Sequence, residues 1–527
     1  MTTYLIAVPY LTVLLVLVFY GLHRSHLVWQ LWQHREALPP APPRNVPDAD
    51  LPFVTVQLPL FNEPDVLERL LDTVAQIDYP RDRFEIQVLD DSTDDSRELA
   101  RRKTDELKRR GIDAVYIHRV DRVGYKAGAL DNGLKVAKGQ LIAIFDADFV
   151  PQRSFLRTVV HHFADPTVGC VQARWGHLNR ESSILTRVQA LMLDGHHMVE
   201  NRARFAAGRF FNFSGTGGIW RREAINAAGG WQHDTLTEDL DLSYRAQLAG
   251  WRFVYREDHV TPAELPEEME AFRAQQFRWA KGTVQTARKL LGRVWARKDL
   301  PFGVRLEAVF HMTPHFAYPL MVMLAALLLP MLLVMPASDP MALVLVDIPL
   351  MIGSTGSLAT FYIVAERSQG RSAWGALRRL PWLLAIGSGM APWLTRAVWE
   401  GLQAETGEFV RTPKKGAKAG GRYKAKTIVP VFEIVMTLES VASVVAAVAT
   451  RHYIAAPFAM LFVMGFGYVS LTVMRERMGS AATKELPRST SLPAPARVLS
   501  VREAVDSDPG FVPPFIEGAR ATDSLSV

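Results

Sequence analysis

Three apolar stretches of strand length end in residues that could bind a charged ligand. In chain order these residues are Asn62, Glu63, Asp90, Asp91, Asp146 and Asp148. Ligands of open parallel sheets bind beyond the carboxyl ends of the strands, so we expect these side chains to share one crevice. Neither GxGxxG nor GxxxxGK[ST] follows a strand, so neither a dinucleotide-binding fold nor a P-loop NTPase is indicated.

The spacing of Asp146 and Asp148 suits a hard divalent cation. Mg²⁺ or Mn²⁺ in such sites takes one or two carboxylates together with phosphate oxygens. Considered without their surroundings, Asp146 and Asp148 could equally belong to an Asp-rich turn that caps a helix. The apolar strand before it and the second acidic pair at residues 90 and 91 favour the metal site, with a nucleotide diphosphate as the partner of the ion.

A second acidic motif opens a predicted helix at Thr237, Glu238 and Asp239. The simpler interpretation is an N-cap followed by acids that favour the positive end of the helix dipole. The functional interpretation makes Asp239 a general base, which takes the proton of an acceptor hydroxyl as its oxygen attacks a sugar C1.

Residues 269–291 form an amphipathic helical pattern in which Gln275, Arg278 and Trp279 share one face. Arginine can hold a diphosphate leaving group with two parallel hydrogen bonds, and tryptophan offers a flat surface to a sugar. A helix lying on a membrane surface is the alternative interpretation.

Two glycine-containing stretches could bring further groups to phosphates. Lys126 lies in GYKAG, and Gly215 and Thr216 lie in FSGTGG, where glycine permits close approach of the backbone to a ligand. A structural role explains each stretch equally well.

The composition narrows the class of protein. Among 527 residues, 60 basic and 54 acidic side chains give a net charge of +6, which is too balanced for a nucleic-acid protein recognised by bulk charge. The single cysteine, Cys170, excludes a disulfide scaffold, cysteine-rich zinc sites and Fe–S clusters.

Long uncharged runs predict a membrane protein. The predicted spans are residues 4–22, 313–335, 341–365, 428–449 and 453–474. Basic residues flank 381–399 on both sides, so this sixth hydrophobic segment is predicted to be interfacial or re-entrant. The same charge bias places the segments after residues 22 and 399 on the inner face of the membrane.

Between the first span and the others, strand-like runs alternate with amphipathic helical patterns, which predicts an α/β domain with a doubly wound, mostly parallel sheet. The predicted organisation is a helical N-terminus (1–35), a proline-rich linker (36–52), the α/β domain (53–300), a transmembrane region (301–475) and a disordered tail (476–527).

The sequence resembles processive glycosyltransferases of family 2, and most of all the cellulose-synthase-like mannan and glucomannan synthases. Four motifs carry the resemblance: Asp90-Asp91, Asp146-Ala147-Asp148, Thr237-Glu238-Asp239 and Gln275-Gln276-Phe277-Arg278-Trp279. It implies a cytoplasmic domain of the GT-A fold that transfers sugar, with inversion, from GDP-mannose or UDP-glucose to a growing β-1,4-linked glycan.

The resemblance also implies roles for single residues. Asp90 and Asp91 would contact the nucleotide, Asp146 and Asp148 the metal, Asp239 would be the base, Arg278 would contact the diphosphate and Trp279 the acceptor. Residues 401–426 resemble the gating loop of cellulose synthases, which closes over the nucleotide. The nucleotide contacts expected from that loop are Phe409, Arg411, Thr412 and Lys414.

Two other functions are compatible with parts of the pattern. A non-processive enzyme that glycosylates a membrane lipid could share the acidic motifs, and a transporter with a regulatory cytoplasmic domain could share the spans. The expected location is a cell membrane, the plasma membrane in a bacterium. Membrane lipid is an expected partner, and an export partner or a second copy is possible.

Overall fold

The computed structural model describes residues 2–36, 46–335, 352–403 and 430–485. Phe409, Arg411, Thr412 and Lys414 lie outside the described residues, as do most of the gating-like loop and most of the predicted tail. The chain divides into two compact units, residues 1–477 and 478–527. The sheet, the pocket and the contacts discussed below all belong to the first unit.

The first unit is built on one seven-stranded sheet in the order β3-β2-β1-β4-β6-β5-β7. The strands are β1 Val54–Leu60, β2 Phe84–Asp90, β3 Ala114–His118, β4 Leu141–Ile144, β5 Val168–His177, β6 Gly218–Arg221 and β7 Arg252–Ala263. Strand β6 is antiparallel to β4 and β5, and the other neighbours are parallel. The predicted α/β class with a mostly parallel sheet is therefore confirmed.

Both faces of the central strands are buried, although β1 alternates apolar and polar residues. The apolar face contributes Val54, Val56 and Leu58 to the core. On the other face Thr55 donates to Glu85 at 2.5 Å and Gln57 donates to the Gln87 side chain at 3.0 Å. These cross-strand hydrogen bonds satisfy polar groups that would otherwise be costly to bury.

Helices alternate with the strands along the chain, and further helices precede the first strand and follow the last. Up to residue 312 they are α1 Thr2–Gln33, α2 Pro64–Val74, α3 Ser96–Arg109, α4 Tyr125–Val136, α5 Phe155–Val159, α6 Ile184–Gly195, α7 Arg202–Ala206, α8 Arg222–Ala227, α9 Glu238–Leu248, α10 Met269–Ala296 and α11 Phe302–Met312. Later helices are α12 Ala317–Val334, α13 Ser357–Arg367, α14 Ala373–Gly389, α15 Ala391–Leu402, α16 Val431–Ala449 and α17 Ala455–Glu485.

Within the described ranges, four helices are long and apolar enough to cross a membrane: Tyr4–Gln33, Pro314–Val334, Val431–Ala449 and Ala455–Met478. They correspond to four of the five predicted spans, and the sheet domain lies between the first and the second. Helix α1 continues beyond the predicted end at residue 22. Helix α17 continues beyond residue 476, where the tail was predicted to begin.

The two remaining hydrophobic segments differ from simple spans. Of the predicted span 341–365, only residues from 352 onward are described, as a π-helical turn at Ile352–Gly356 followed by α13. The predicted interfacial segment 381–399 is divided between α14 and α15, which meet at Met390. Neither helix is among the four spanning candidates, and the interfacial position stays a prediction.

Candidate active site

A pocket lies beyond the carboxyl ends of β1 and β4, where the strand order predicts a crevice. It brings together most of the predicted site: Glu63, Asp91, Lys126, Asp146, Asp148, Gly215, Glu238, Asp239, Gln275, Arg278 and Trp279 all line it. Their sequence positions span more than two hundred residues, so the sheet and the three helices α4, α9 and α10 together assemble the site. Asn62, Asp90 and Thr216 are outside this lining, and their predicted contacts with the substrate stay predictions.

Asn62 connects the ends of β1 and β2. Its backbone has a positive φ of 55°. Its N–H donates to Ser92 Oγ at 2.8 Å, and its side-chain oxygen accepts from the Thr93 N–H at 2.8 Å. The amide thereby fixes the turn that presents Glu63 to the pocket.

The two acids at the end of β2 point to different surroundings. Asp90 is fully buried and accepts hydrogen bonds from the Ser92 N–H at 3.0 Å and the Tyr116 hydroxyl at 2.6 Å. Asp91 lines the pocket, and the Arg119 guanidinium binds both of its carboxylate oxygens. Asp90 therefore orders the strand end, whereas Asp91 reaches the pocket as half of an ion pair.

Asp146 and Asp148 follow β4 directly, and both face the pocket. The Lys126 ammonium lies 2.5 Å from Asp146 Oδ1 and donates to the Gly215 carbonyl at 2.8 Å. Burial acts to lower the pKa of Lys126, but Asp146, Glu238 and Asp239 outweigh it and raise the pKa. Lys126 is therefore a permanent cation among the acids.

Thr216 holds two of the residues that line the pocket by hydrogen bonds. Its hydroxyl oxygen accepts from the Asp146 N–H at 2.9 Å, and its carbonyl accepts from Trp175 Nε1 at 3.3 Å. The residue before it, Gly215, has a φ of +82°, and a Cβ at that position would lie 2.9 Å from Asp239 Oδ2. Glycine is thus required where the backbone passes the Asp239 carboxylate.

Asp239 lies in the first turn of α9, as predicted. Thr237 occupies the N-cap position, but its side chain does not cap the helix and instead contacts Thr286 Oγ1 at 3.1 Å. The Asp239 carboxylate accepts from the Leu240 N–H at 2.8 Å. Burial and the neighbouring Glu238 raise the pKa of Asp239 to about 7, which is well suited to a general base.

Helix α10 supplies the third wall. Gln275, Arg278 and Trp279 all line the pocket from one face of this helix, as their spacing predicted. Burial lowers the pKa of Arg278, and the acids Glu238, Asp146 and Asp239 oppose that effect. A guanidinium that faces several carboxylates across a pocket is placed to bind a polyanionic ligand.

Sequence reasoning missed several polar or aromatic residues in the lining, among them Arg122, Trp175, His177 and Glu264. The Arg122 guanidinium lies 3.2 Å from the centre of the Phe61 ring. Trp175 and His177 end β5, so they carry the same signal as the acids of β1, β2 and β4, a strand that ends in residues able to bind a ligand.

Comparison with known proteins places the α/β domain in a family. Residues 52–282 match the family model described as "Glycosyltransferase like family 2". This part of the chain is similar to family 2 glycosyltransferases. The match begins just before β1 and ends within α10, so it includes every described pocket residue.

Plant proteins are similar to the glycosyltransferase domain. A region of 278 residues is 38% identical to "Glucomannan 4-beta-mannosyltransferase 1" of Oryza sativa subsp. japonica and covers 50% of this chain and 53% of the relative. A region of 267 residues is 40% identical to "Glucomannan 4-beta-mannosyltransferase 2" of Arabidopsis thaliana and covers 50% of each chain. The chain thus spans about half the length of the curated relatives it matches.

Among solved structures, the "Mannosyltransferase PcManGT from Pyrobaculum calidifontis in complex with GDP-Man and Mn2+" is similar with a TM-score of 0.48 and 24% identity. The likeness covers 67% of this chain and 96% of that one.

Proposed function

We propose that this membrane protein is an inverting glycosyltransferase that adds sugar from a nucleotide-sugar to a growing β-1,4-linked polysaccharide. One observation carries the proposal: the pocket joins an acidic strand end, a buried carboxylate with a raised pKa and an arginine–tryptophan helix face. The glucomannan synthases among the relatives favour GDP-mannose as the donor, with UDP-glucose as the alternative.

The proposed reaction is a single displacement at the sugar C1. The acceptor hydroxyl oxygen forms a bond to C1, while the bond from C1 to the diphosphate oxygen breaks. Asp239 takes the hydroxyl proton, and its raised pKa makes the carboxylate a stronger base than an exposed aspartate. Inversion follows because the acceptor attacks the face opposite to the leaving group.

Cationic side chains stabilise the leaving diphosphate. Arg278 and Lys126 both line the pocket, and Lys126 keeps its charge because acids surround it. Negative charge accumulates on the diphosphate as the bond to C1 breaks, so fixed cations stabilise the transition state more than the ground state.

The residues at the end of β4 fit a divalent cation. Asp146 and Asp148 offer hard oxygen ligands, and with diphosphate oxygens they suffice for Mg²⁺ or Mn²⁺. Among the described residues no group of three or more His, Cys, Asp or Glu could hold a metal alone, which agrees with an ion that binds together with the donor. The ion would supply charge neutralisation at the diphosphate.

Gln275 and Trp279 are proposed to orient the acceptor. Both lie on the helix face that carries Arg278, so an acceptor held there would sit beside the leaving group. We further propose that the domain is cytoplasmic, since nucleotide-sugars are made inside the cell and basic residues flank the segment 381–399.

The proposal is tested with membranes that contain the protein. Radiolabelled GDP-mannose and, separately, UDP-glucose are supplied with Mg²⁺ or Mn²⁺, and insoluble polymer is separated from lipid extract. Label in polymer that a β-1,4-specific hydrolase digests supports the proposal and names the sugar. Label in the lipid extract alone would overturn it in favour of a lipid glycosyltransferase.

A further inference from the structure

One wall of the pocket combines apolar and polar side chains. Trp175, Leu193, Leu265 and Pro266 line the pocket together with the imidazole of His177 and the carboxylate of Glu264. The cations that suit a diphosphate, Lys126 and Arg278, come from other elements. Apolar and aromatic side chains with a few polar groups among them are the usual composition of a ligand-binding surface, and a tryptophan ring suits the flat face of a sugar.

His177 is held at one ring nitrogen only. Its Nε2 lies 3.2 Å from Asp194 Oδ1. Within the part of the chain that the structure describes, Nδ1 makes no hydrogen bond. The side chain is nevertheless only 4% exposed, and it borders the pocket. A ring nitrogen in this position is available to a ligand that fills the pocket.

The partner of His177 is a carboxylate that stays ionised. Asp194 is buried and also binds Arg180 and, at 2.8 Å, Arg371. Burial acts to raise the pKa of Asp194, but the His177 and Arg180 contacts hold it well below its usual range. The carboxylate of Asp194 thus accepts a hydrogen bond from the Nε2 side of the ring, and Nδ1 is the ring nitrogen left for a ligand.

We propose that His177 Nδ1 binds a hydroxyl group of the acceptor glycan and that Asp194 is the residue that positions the ring. This inference rests on the proposed function. The acceptor rather than the donor is assigned to this wall because Asp194 and Arg180 connect it to the helices that follow the domain. Arg371 precedes α14, and Arg180 also binds Glu366 of α13 at 2.5 Å. A glycan directed toward those helices would pass this wall.

Two amide substitutions test the contributions of the two ring nitrogens of His177 one at a time. The amide of His177→Gln reaches as far as Nε2 and can keep the contact with Asp194, but it lacks a group at Nδ1. His177→Asn has the opposite pattern. His161→Gln is the matched control, because His161 lies in the turn Val160–Ala164, outside the pocket lining.

The experiment measures transfer to short soluble β-1,4-linked manno- and gluco-oligosaccharides, and donor hydrolysis without acceptor, for purified full-length protein. His177→Gln should raise the KM for the acceptor about fivefold to tenfold, the contribution of one neutral hydrogen bond. Donor hydrolysis should fall much less than transfer does. His177→Asn should keep an acceptor KM close to that of wild type, even if its melting temperature falls.

The outcomes distinguish the inference from the function on which it rests. If wild type extends neither oligosaccharide series, the proposed function fails and the inference fails with it. If wild type extends one series and His177→Gln has an unchanged acceptor KM, only the inference is overturned. An equal loss of transfer and donor hydrolysis in His177→Gln would also overturn it, since His177 would then serve the donor or the fold.

Discussion

The buried Arg273 guanidinium of α10 donates to Glu433 Oε1 of α16 across 2.9 Å. Arg273 also pairs with Glu270 at 3.0 Å and lies over the Trp393 ring of α15. The helix that carries Gln275, Arg278 and Trp279 is thus joined by a buried ion pair to α16, one of the helices that are long and apolar enough to cross a membrane. Glu433 lies in the first turn of α16, so the pair connects the pocket helix to the start of that helix.

Breaking the ion pair between Arg273 and Glu433 should make α10, the helix that forms the third wall of the pocket, less firmly held. Glu433→Gln leaves the Arg273 charge short of one partner, and removal of one member of a buried pair costs about 3 kcal/mol. We expect a lower melting temperature in detergent and a reduced kcat, because Arg278 and Trp279 lose a fixed position.

Glu439→Gln on the same helix is the matched control for that substitution. Glu439 accepts a hydrogen bond from Ser443 at 3.1 Å and forms no ion pair within the described ranges. Equal losses of melting temperature and kcat in the two variants would show that removal of any carboxylate from α16 has this effect. That result would contradict a specific role for the ion pair between Arg273 and Glu433.

Asp239→Asn should abolish transfer while the nucleotide-sugar still binds. The amide keeps the shape of the side chain but cannot take a proton, and general base catalysis contributes about 10²- to 10⁴-fold. Turnover and donor binding by calorimetry are measured side by side. Asp234→Asn makes the same chemical change at an exposed residue that pairs with Lys289 outside the pocket. Transfer by Asp239→Asn at a rate near that of wild type would exclude Asp239 as the base.

The pH dependence of transfer should report the same carboxyl group. A base is active when deprotonated, so the rate should rise with pH through about 7, the raised pKa of Asp239, and level off above it. The negative charge of Glu238 is one cause of that raised pKa. Glu238→Gln should therefore move the rising limb to lower pH, whatever its effect on the maximal rate. A shift to higher pH would contradict this electrostatic account.

The sequence predicted the convergence of the site well because one rule governs it. Parallel strands end at the same edge of a sheet, so Glu63, Asp91, Asp146 and Asp148 meet once β1, β2 and β4 are neighbours. Helical periodicity likewise placed Arg278 and Trp279 on one face. These predictions needed only the element types and their order.

Which polar side chains face the pocket was harder to predict. Asp90, Asn62 and Thr216 bond to neighbouring strand ends instead, since short polar side chains can serve either a ligand or the local backbone. Trp175 and His177 were missed for a different reason. The β5·β7 register is interrupted between Ala173 and Arg174, so simple alternation does not show which side their side chains take.

Gly215→Ala, compared with a matched glycine substitution elsewhere, should distinguish the effect of backbone strain from the effect of displacing the Asp239 carboxylate. At a φ of +82° an alanine is strained, which costs about 1–2 kcal/mol. Its Cβ would also lie 2.9 Å from Asp239 Oδ2 and 3.6 Å from Lys126 Nζ. Gly111→Ala is the matched control, because Gly111 has a φ of +73° and nothing within 4 Å of the added Cβ.

Both glycine substitutions should lower the melting temperature by similar amounts, since they share the backbone strain. Only Gly215→Ala should lower kcat, by about tenfold or more, because the methyl group displaces the base from its position beside Lys126. The measurement is kcat for transfer at saturating donor together with thermal unfolding of both variants. Equal kcat in the two variants would mean that the Asp239 carboxylate can move without cost, and that its position beside Gly215 is not the one used in catalysis.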